Sequence, residues 1–361
     1  MLKRSFSSLL VLLFLSISCG IISSDEPTYI LPSDRRIHYS GRIDQTDPDA
    51  PVLYWPGTAI RATFNGTSLK VALDDSSGGN FYNVIIDEND ESPVIIGGVP
   101  GDTAYSIISG LEDTEHSVTV FRRTEGMYGP TAFKGFILDY GRSLTGPPQK
   151  QERLIEFYGN SITCGMGNEA PDDGPDNLVT EENNYLAYGA ITARNLNADY
   201  VCIAKSGIGI IISWFDFTMP DYYDRLNPRY ARGKWDFSRW TPDAVIINLF
   251  QNDSWLMNRL DPVPDDTDRI EAYTGFVRTI REKYPDTPII CTLGTMDAIQ
   301  PGSKWPGYVE NAVQKMNDEH NDPNVYSYIF EYQDFTKHPR VRHHGKMADE
   351  LTVFIRGTLG W

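Results

Sequence analysis

Leu154-Ile-Glu-Phe-Tyr-Gly-Asn-Ser-Ile-Thr163 begins as a short apolar run and ends in turn-forming and helix-starting residues. An apolar run of this length, closed by a glycine, reads as a buried strand that passes directly into a turn. The same unit recurs downstream in Tyr200-Val-Cys-Ile-Ala204, Ala244-Val-Ile-Ile-Asn-Leu-Phe250, Pro288-Ile-Ile-Cys-Thr-Leu293 and Val325-Tyr-Ser-Tyr-Ile-Phe330. Between these runs the spacing turns helical: about 184–196, then Asp268 to Tyr284, where Ile270, Tyr273, Val277 and Ile280 share a face, then Tyr308 to Glu319, and last a closing helix from Gly345 to Arg356. Strands alternating with helices predict a mainly parallel sheet in a three-layer α/β/α sandwich over 152–361. Functional residues of such a sheet gather at the carboxyl ends of its strands.

Upstream the period changes. Gly146-Pro-Pro-Gln-Lys150 is the natural boundary, and 30–146 reads as β-structure. Arg61 to Leu73 shows two alternating runs around Asn65-Gly66, which predicts a hairpin turn. Phe81-Tyr-Asn-Val-Ile-Ile-Asp87, His116-Ser-Val-Thr-Val-Phe-Arg122 and Phe133-Lys-Gly-Phe-Ile-Leu-Asp139 read as further short strands. Short strands with turn residues between them predict a β-sandwich ahead of the parallel sheet.

The chain has 361 residues, with 49 Asp plus Glu against 32 Lys plus Arg, for a net charge of −17. That balance repels phosphate backbones and anionic lipid surfaces, so a nucleic-acid partner is not expected. Aromatic residues make up 12% of the chain, a content that suits β-rich folds and surfaces facing carbohydrate. No CxxC pair exists among Cys19, Cys164, Cys202 and Cys291, which argues against a thiolate zinc site. Cys202 and Cys291 lie in apolar runs and read as buried thiols. At the start, Lys3-Arg4 precedes an apolar run from Leu9 to Leu15 and then Ser16-Ile17-Ser18-Cys19. This predicts a signal peptide over 1–19, read as a lipoprotein signal with Cys19 lipidated, or else as an ordinary cleaved signal. Either way the mature protein is expected to be exported.

Four segments fall at strand ends. Gly159-Asn160-Ser161 offers a serine hydroxyl at a strand-to-helix turn, where a nucleophile for acyl transfer sits, although a helix N-cap is the plainer explanation. Ser206-Gly207-Ile208-Gly209 can bring a backbone N–H close to a ligand, or can be a simple turn. Gln251-Asn252-Asp253 offers an amide donor for an oxyanion, or an Asx cap. His338, in the loop after the last strand, is the histidine placed to serve as general base. His343 and His344 open the closing helix and are expected to contact surface or backbone. Each feature alone favours the plain explanation. Their occurrence together, in order, at successive strand ends favours the catalytic one.

This order of Gly-x-Ser, Gly, Asn-Asp and late His resembles the SGNH (GDSL-type) hydrolases from about residue 152 to the end. The N-terminal strands, Gly135-Phe136, the Pro-Pro linker and Asn252-Asp253-Ser254-Trp255 extend the resemblance to carbohydrate esterase family two, in which a jelly-roll β-sandwich precedes the SGNH domain. The resemblance implies a serine esterase that removes O-acetyl groups from plant polysaccharides without a cofactor or metal. It implies Ser161 as nucleophile and His338 as base. The oxyanion hole would be formed by the N–H groups of Ser161 and Gly207 and the side chain of Asn252, with Gly209 the second choice of glycine. Trp255 would lie against the sugar. The third block carries Phe250 where the family has glycine, a bulk expected to reshape the pocket. The family's acid positions before the histidine hold Thr336 and Phe335, with Asp334 off the pattern. A Ser161–His338 dyad is therefore expected, its imidazole oriented by a backbone carbonyl. The partner expected is an acetylated poly- or oligosaccharide, the state a monomer, and the membrane is reached only through a lipid on Cys19. The alternative is a glycan-binding surface lipoprotein with a vestigial hydrolase core.

Overall fold

The structure, a computed structural model, describes residues 26–333 and 337–361. The expected signal segment with Cys19, and Asp334, Phe335 and Thr336, lie outside the described residues.

The N-terminal half is a nine-stranded sheet. Its strands pair antiparallel, and Phe64, Val71, Val84, Val120, Phe133 and Phe136 lie in its core. Its centre is made of two long strands, Ala59–Asp75 and Gly101–Arg122, paired with each other. The expected hairpin at Asn65-Gly66 is not there. The chain runs through both residues within one 17-residue strand, with Gly66 at φ 141° and a register shift between Gly66 and Ser68. A glycine inside a strand marks a bulge as readily as a turn. Here the Asp139 carboxylate accepts the N–H groups of Thr67 and Ser68 beside the shift, at 2.7 and 3.0 Å, and stabilises the bulge. The run His116–Arg122 is likewise the end of a 22-residue strand.

The C-terminal half holds a five-stranded parallel sheet in the order Ala198–Ala204, Arg153–Gly159, Ala244–Asn248, Ile289–Leu293, Val325–Ile329. These strands are buried on both faces and so read as continuous apolar runs rather than alternating ones. The first strand in sequence lies between the second and the third. The chain therefore reverses its direction of travel across the sheet at the Arg153–Gly159 strand. Right-handed crossovers then place helix Tyr188–Asn195 on one face and helices Asp266–Lys283 and Trp305–Glu319 on the other. The closing helix is Val341–Leu359, which begins four residues before the expected Gly345 and packs against Tyr188–Asn195. A crevice opens at such a reversal, outside the carboxyl ends of the strands.

The two halves share core. Tyr54, Trp55, Ile85 and Phe121 pack into the same apolar cluster as the parallel strands. Arg42, fully buried, donates to Glu156 Oε1 at 2.7 Å and to the Tyr158 hydroxyl at 3.0 Å across the junction.

Candidate active site

Strand Arg153–Gly159 delivers Ser161 to the crevice. The helix cap here is Asn160, whose side chain accepts the Ile162 N–H at 3.0 Å, so the Ser161 hydroxyl is not spent on capping. Gly159 is required by close approach, because a Cβ there would lie 1.9 Å from Thr163 Oγ1. Ser161 Oγ lies 2.9 Å from His338 Nε2.

The other imidazole nitrogen corrects an expectation. His338 Nδ1 lies 3.0 Å from Asp176 Oδ2, so a carboxylate orients the ring, not a backbone carbonyl. The same oxygen accepts the His338 backbone N–H at 3.0 Å. Asp176 Oδ1 accepts from Arg340 at 2.7 Å, and Arg340 also donates to the carbonyl of Gly167 at 2.6 Å. Lys337 donates to the carbonyls of Asp173 and Gly174, both at 2.6 Å. The two cations flanking His338 thus fasten the 167–176 loop over it. Partial burial alone would raise the Asp176 carboxyl, but the hydrogen bonds from His338 and Arg340 outweigh it and hold the group well below the usual carboxylate range. Nothing in the sequence marked this residue, because the chain carries 49 acidic residues and Asp176 lies 162 positions from its histidine.

Of the residues expected to form the oxyanion hole, Gly207 and Asn252 lie beside each other. Gly207 follows strand Ala198–Ala204 with φ +85°. Asn252 is buried in the first turn of helix Gln251–Leu256, and its Nδ2 donates to the Ile208 carbonyl at 2.8 Å, next to Gly207. Its Oδ1 accepts from Trp214 Nε1 at 3.2 Å, which fixes which way the amide faces and leaves one Nδ2 hydrogen uncommitted. Gly209 is set aside as the second choice, because its N–H donates to Ser213 Oγ at 3.0 Å. Asp253, fully buried, accepts the N–H groups of Ile210, Ile211 and Ile212 at 3.1, 2.7 and 3.1 Å, tying the loop to the Asn252 helix. Burial nevertheless pushes its carboxyl up to about 6.

Phe250 holds φ +86°, a left-handed conformation that explains the glycine usual at this place. Its ring is buried against Tyr273 and Trp305, at centroid distances of 4.8 and 5.2 Å, so the bulk goes into the core rather than the space beside Ser161.

Trp255 lies on helix Gln251–Leu256, three residues beyond Asn252. It is 39% exposed, donates to the Asp297 carboxylate at 2.7 Å, and walls an open cleft of about 410 Å³ with Trp305, Tyr308, Arg269 and Lys304. Ser161 and His338 do not line that cleft. Trp214, half exposed with Arg259 over its ring at 4.5 Å, was not singled out from the sequence. His343 and His344 do contact backbone: Arg340 N–H donates to His343 at 2.9 Å and Tyr188 N–H to His344 at 3.2 Å. Among the described residues no three His, Cys, Asp or Glu side chains converge to hold a metal ion, and Cys164, Cys202 and Cys291 are free and buried.

Residues 39–148 match the carbohydrate esterase 2 N-terminal family, and residues 157–350 match the GDSL-like lipase/acylhydrolase family. The cellulase/esterase CelE of Acetivibrio thermocellus is 34% identical over 333 residues, spanning 90% of this chain but only 40% of that protein. The acetylxylan esterase/glucomannan deacetylase of Cellvibrio japonicus is 28% identical over 342 residues, covering 92% of this chain and 91% of its own. Among solved structures, a family two carbohydrate esterase from Clostridium thermocellum in complex with cellohexaose superposes with a TM-score of 0.81 at 34% identity, covering 90% of this chain and 99% of that one. On this agreement across both halves, the chain belongs to carbohydrate esterase family two, within the GDSL-type hydrolases.

Proposed function

We propose that this chain is a serine esterase that removes O-acetyl groups from plant polysaccharides or oligosaccharides, of the acetyl xylan or mannan type. The observation that carries the reading is the continuous line from Ser161 Oγ through the His338 imidazole to the Asp176 carboxylate, at 2.9 and 3.0 Å. Ser161 attacks the acetyl carbonyl and His338 Nε2 takes its proton. Asp176 holds the proton on Nδ1, so that Nε2 is the free base, and stabilises the imidazolium that forms. The N–H groups of Ser161 and Gly207 and the Asn252 amide receive the oxyanion, each such donor contributing about 3 kcal/mol to the transition state. Collapse expels the sugar oxygen, which takes the proton from His338, and leaves acetyl on Ser161. Water, activated by the same histidine, then releases acetate. The route calls for no cofactor or metal.

Trp255, in its cleft, takes a sugar ring of the substrate. The relatives' names, acetylxylan esterase and glucomannan deacetylase, support this substrate class. An aligned Ser–His–Asp line is not what a vestigial core retaining only glycan binding would need. We further infer that the mature chain is exported through its N-terminal signal, lipidated at Cys19, and acts as a monomer of two units, 30–146 and 152–361. No described helix is long and apolar enough to cross a membrane. The test is acetate release from a panel of acetylated xylo- and manno-oligosaccharides, with NMR to locate the ester lost. Ser161→Ala is expected to lower the rate by several orders of magnitude. Near-normal release by the pure variant would sink the esterase reading.

A further inference from the structure

The Ser206–Gly207 peptide, whose N–H is the proposed oxyanion donor, is pinned from both sides. Lys205 to Ile208 form a turn closed by Ile208 N–H on the Lys205 carbonyl at 3.2 Å, with Gly207 at its third position and φ +85°. That geometry is the one a type II turn demands, and it leaves the central peptide facing outward. The central N–H has no acceptor among the described residues. On the far side, the Gly207 carbonyl accepts the Trp214 N–H at 3.0 Å. On the near side, the Ser206 N–H donates to Glu125 Oε2 at 2.9 Å.

Glu125 belongs to the other half of the molecule. It follows strand Gly101–Arg122 of the antiparallel sheet and is 2% exposed. Its placement is fixed. Its own N–H donates to Glu182 Oε1 at 2.6 Å, and the buried Arg122, three residues back, bridges Asn80 and the Gly129 carbonyl beneath it. Its carboxylate thus reaches across the junction between the halves, with Cys164 Sγ at 3.9 Å on the helical turn that begins with Ser161. The mechanism above does not use it.

We propose that Glu125 is a positioning residue for the oxyanion hole, supplied by the β-sandwich to the hydrolase half. By holding the Ser206 N–H it sets the turn that aims the Gly207 N–H. With Asp253 holding the N–H groups of Ile210 to Ile212, the whole loop hangs by its backbone from two buried carboxylates, one from each half. An aimed donor is worth having only where charge develops in the transition state, so the effect of losing the aim falls on kcat rather than on KM. The proposal rests on the esterase reading, and the two fail in different ways.

The test uses the full chain, p-nitrophenyl acetate and an acetylated xylo-oligosaccharide, with methylboronic acid as a probe of the tetrahedral state. Glu125→Ala is expected to lower kcat on both substrates by about 10- to 100-fold, short of the ~10²–10³ lost when a donor is removed outright. KM is expected to stay within about twofold, and boronate affinity to fall in step with kcat. Glu125→Gln keeps an oxygen for the Ser206 N–H and is expected to restore kcat to within about threefold of wild type. Should Glu125→Ala not fold, Glu125→Asp, one methylene shorter, is read in its place and is expected to show the same loss. A folded Glu125→Ala or Glu125→Asp with unchanged kcat and boronate affinity overturns the proposal. So does Glu125→Gln as impaired as Glu125→Ala, or a rise in KM at constant kcat. A wild type that hydrolyses neither ester fells the esterase reading instead.

Discussion

Replacing Asp176 by Asn isolates the carboxylate from its shape. Three donors converge on this group: the His338 Nδ1–H and backbone N–H on Oδ2, each at 3.0 Å, and Arg340 on Oδ1 at 2.7 Å. An amide offers one oxygen. If that oxygen faces His338, the new NH₂ points at the Arg340 guanidinium, donor against donor. If it faces Arg340, the NH₂ meets His338, the imidazole must accept at Nδ1, and its proton moves to Nε2, where it blocks the base. Either orientation sets a donor against a donor, Arg340 in the first and the His338 backbone N–H in the second. Arg340 is nearly buried, charged and held by two further carbonyls, so denying it an acceptor costs more and the second arrangement is favoured. The wrong tautomer costs about 10⁴ in kcat where a fully enclosed triad acid is changed in this way. Here Asp176 and His338 keep 21% and 16% side-chain exposure, so water can take part of the orienting role, and a loss of about 10²–10³ is expected. The arrangement also predicts a rescue. In Asp176→Asn/Arg340→Met the guanidinium is gone, the amide oxygen is free to face His338, and kcat is expected to recover at least about tenfold over Asp176→Asn. Steady-state kinetics on p-nitrophenyl acetate, with circular dichroism to check the fold, decide the matter. A folded Asp176→Asn that keeps kcat within tenfold of wild type, or a double variant slower than the single one, would refute the reasoning.

Trp255→Ala is expected to raise KM for acetylated oligosaccharides by about tenfold, the equivalent of 1.4 kcal/mol, and to leave p-nitrophenyl acetate little changed; equal losses on both substrates would count against sugar stacking. At Phe250 the usual order of stability should invert: Phe250→Gly and Phe250→Ala both lose the buried ring, but glycine accepts φ +86° freely, so it is expected to be about 1 kcal/mol more stable than Ala in urea titrations. His344 is fully buried, and burial, with the neighbouring His343 and His338, pushes it down to about 3. A depressed histidine gives stability that is whole above its unfolded pKa of about 6.5 and is lost as pH falls toward 3, so wild type is expected to lose about 2 kcal/mol between pH 7 and pH 5 through this group. His344→Gln, which can still accept the Tyr188 N–H, should lack that loss, and parallel denaturation curves for the two proteins at both pH values would contradict the assignment.

What the sequence made legible was whatever local pattern determines. The parallel strands are continuous apolar runs because both faces are covered, and the serine, glycine, asparagine and histidine follow from where those runs stop. The antiparallel half is less legible, since Asn65-Gly66 satisfies a hairpin turn and a bulge equally. What decides between them is the Asp139 carboxylate, more than 70 residues away in the chain. The helix boundaries shifted for a similar reason: the closing helix begins at Val341 because Arg340 is fixed by Asp176 and Gly167, and no local signal announces those partners.

Asp176 and Glu125 share that illegibility, and it has a physical basis. A nucleophile or an oxyanion donor must sit where the backbone aims it, so its position is tied to a strand end and shows in the pattern. A carboxylate that orients another group needs only to arrive within hydrogen-bonding distance, and any loop that crosses the crevice can deliver it. Asp176 comes from the loop after the helical turn Ser161–Cys164, where Lys337 and Arg340 secure it, and Glu125 comes from the opposite half of the chain. The acid of this site is therefore free to change its place in sequence while the geometry at His338 stays the same. Phe250 makes the complementary point, for there the backbone conformation is the fixed requirement and the side chain varies. At φ +86° a non-glycine residue costs about 1–2 kcal/mol, and the ring offsets that cost by packing between Tyr273 and Trp305. Trp305 in turn walls the cleft beside Trp255, so the residue that replaces the family's glycine braces the floor on which substrate is proposed to lie.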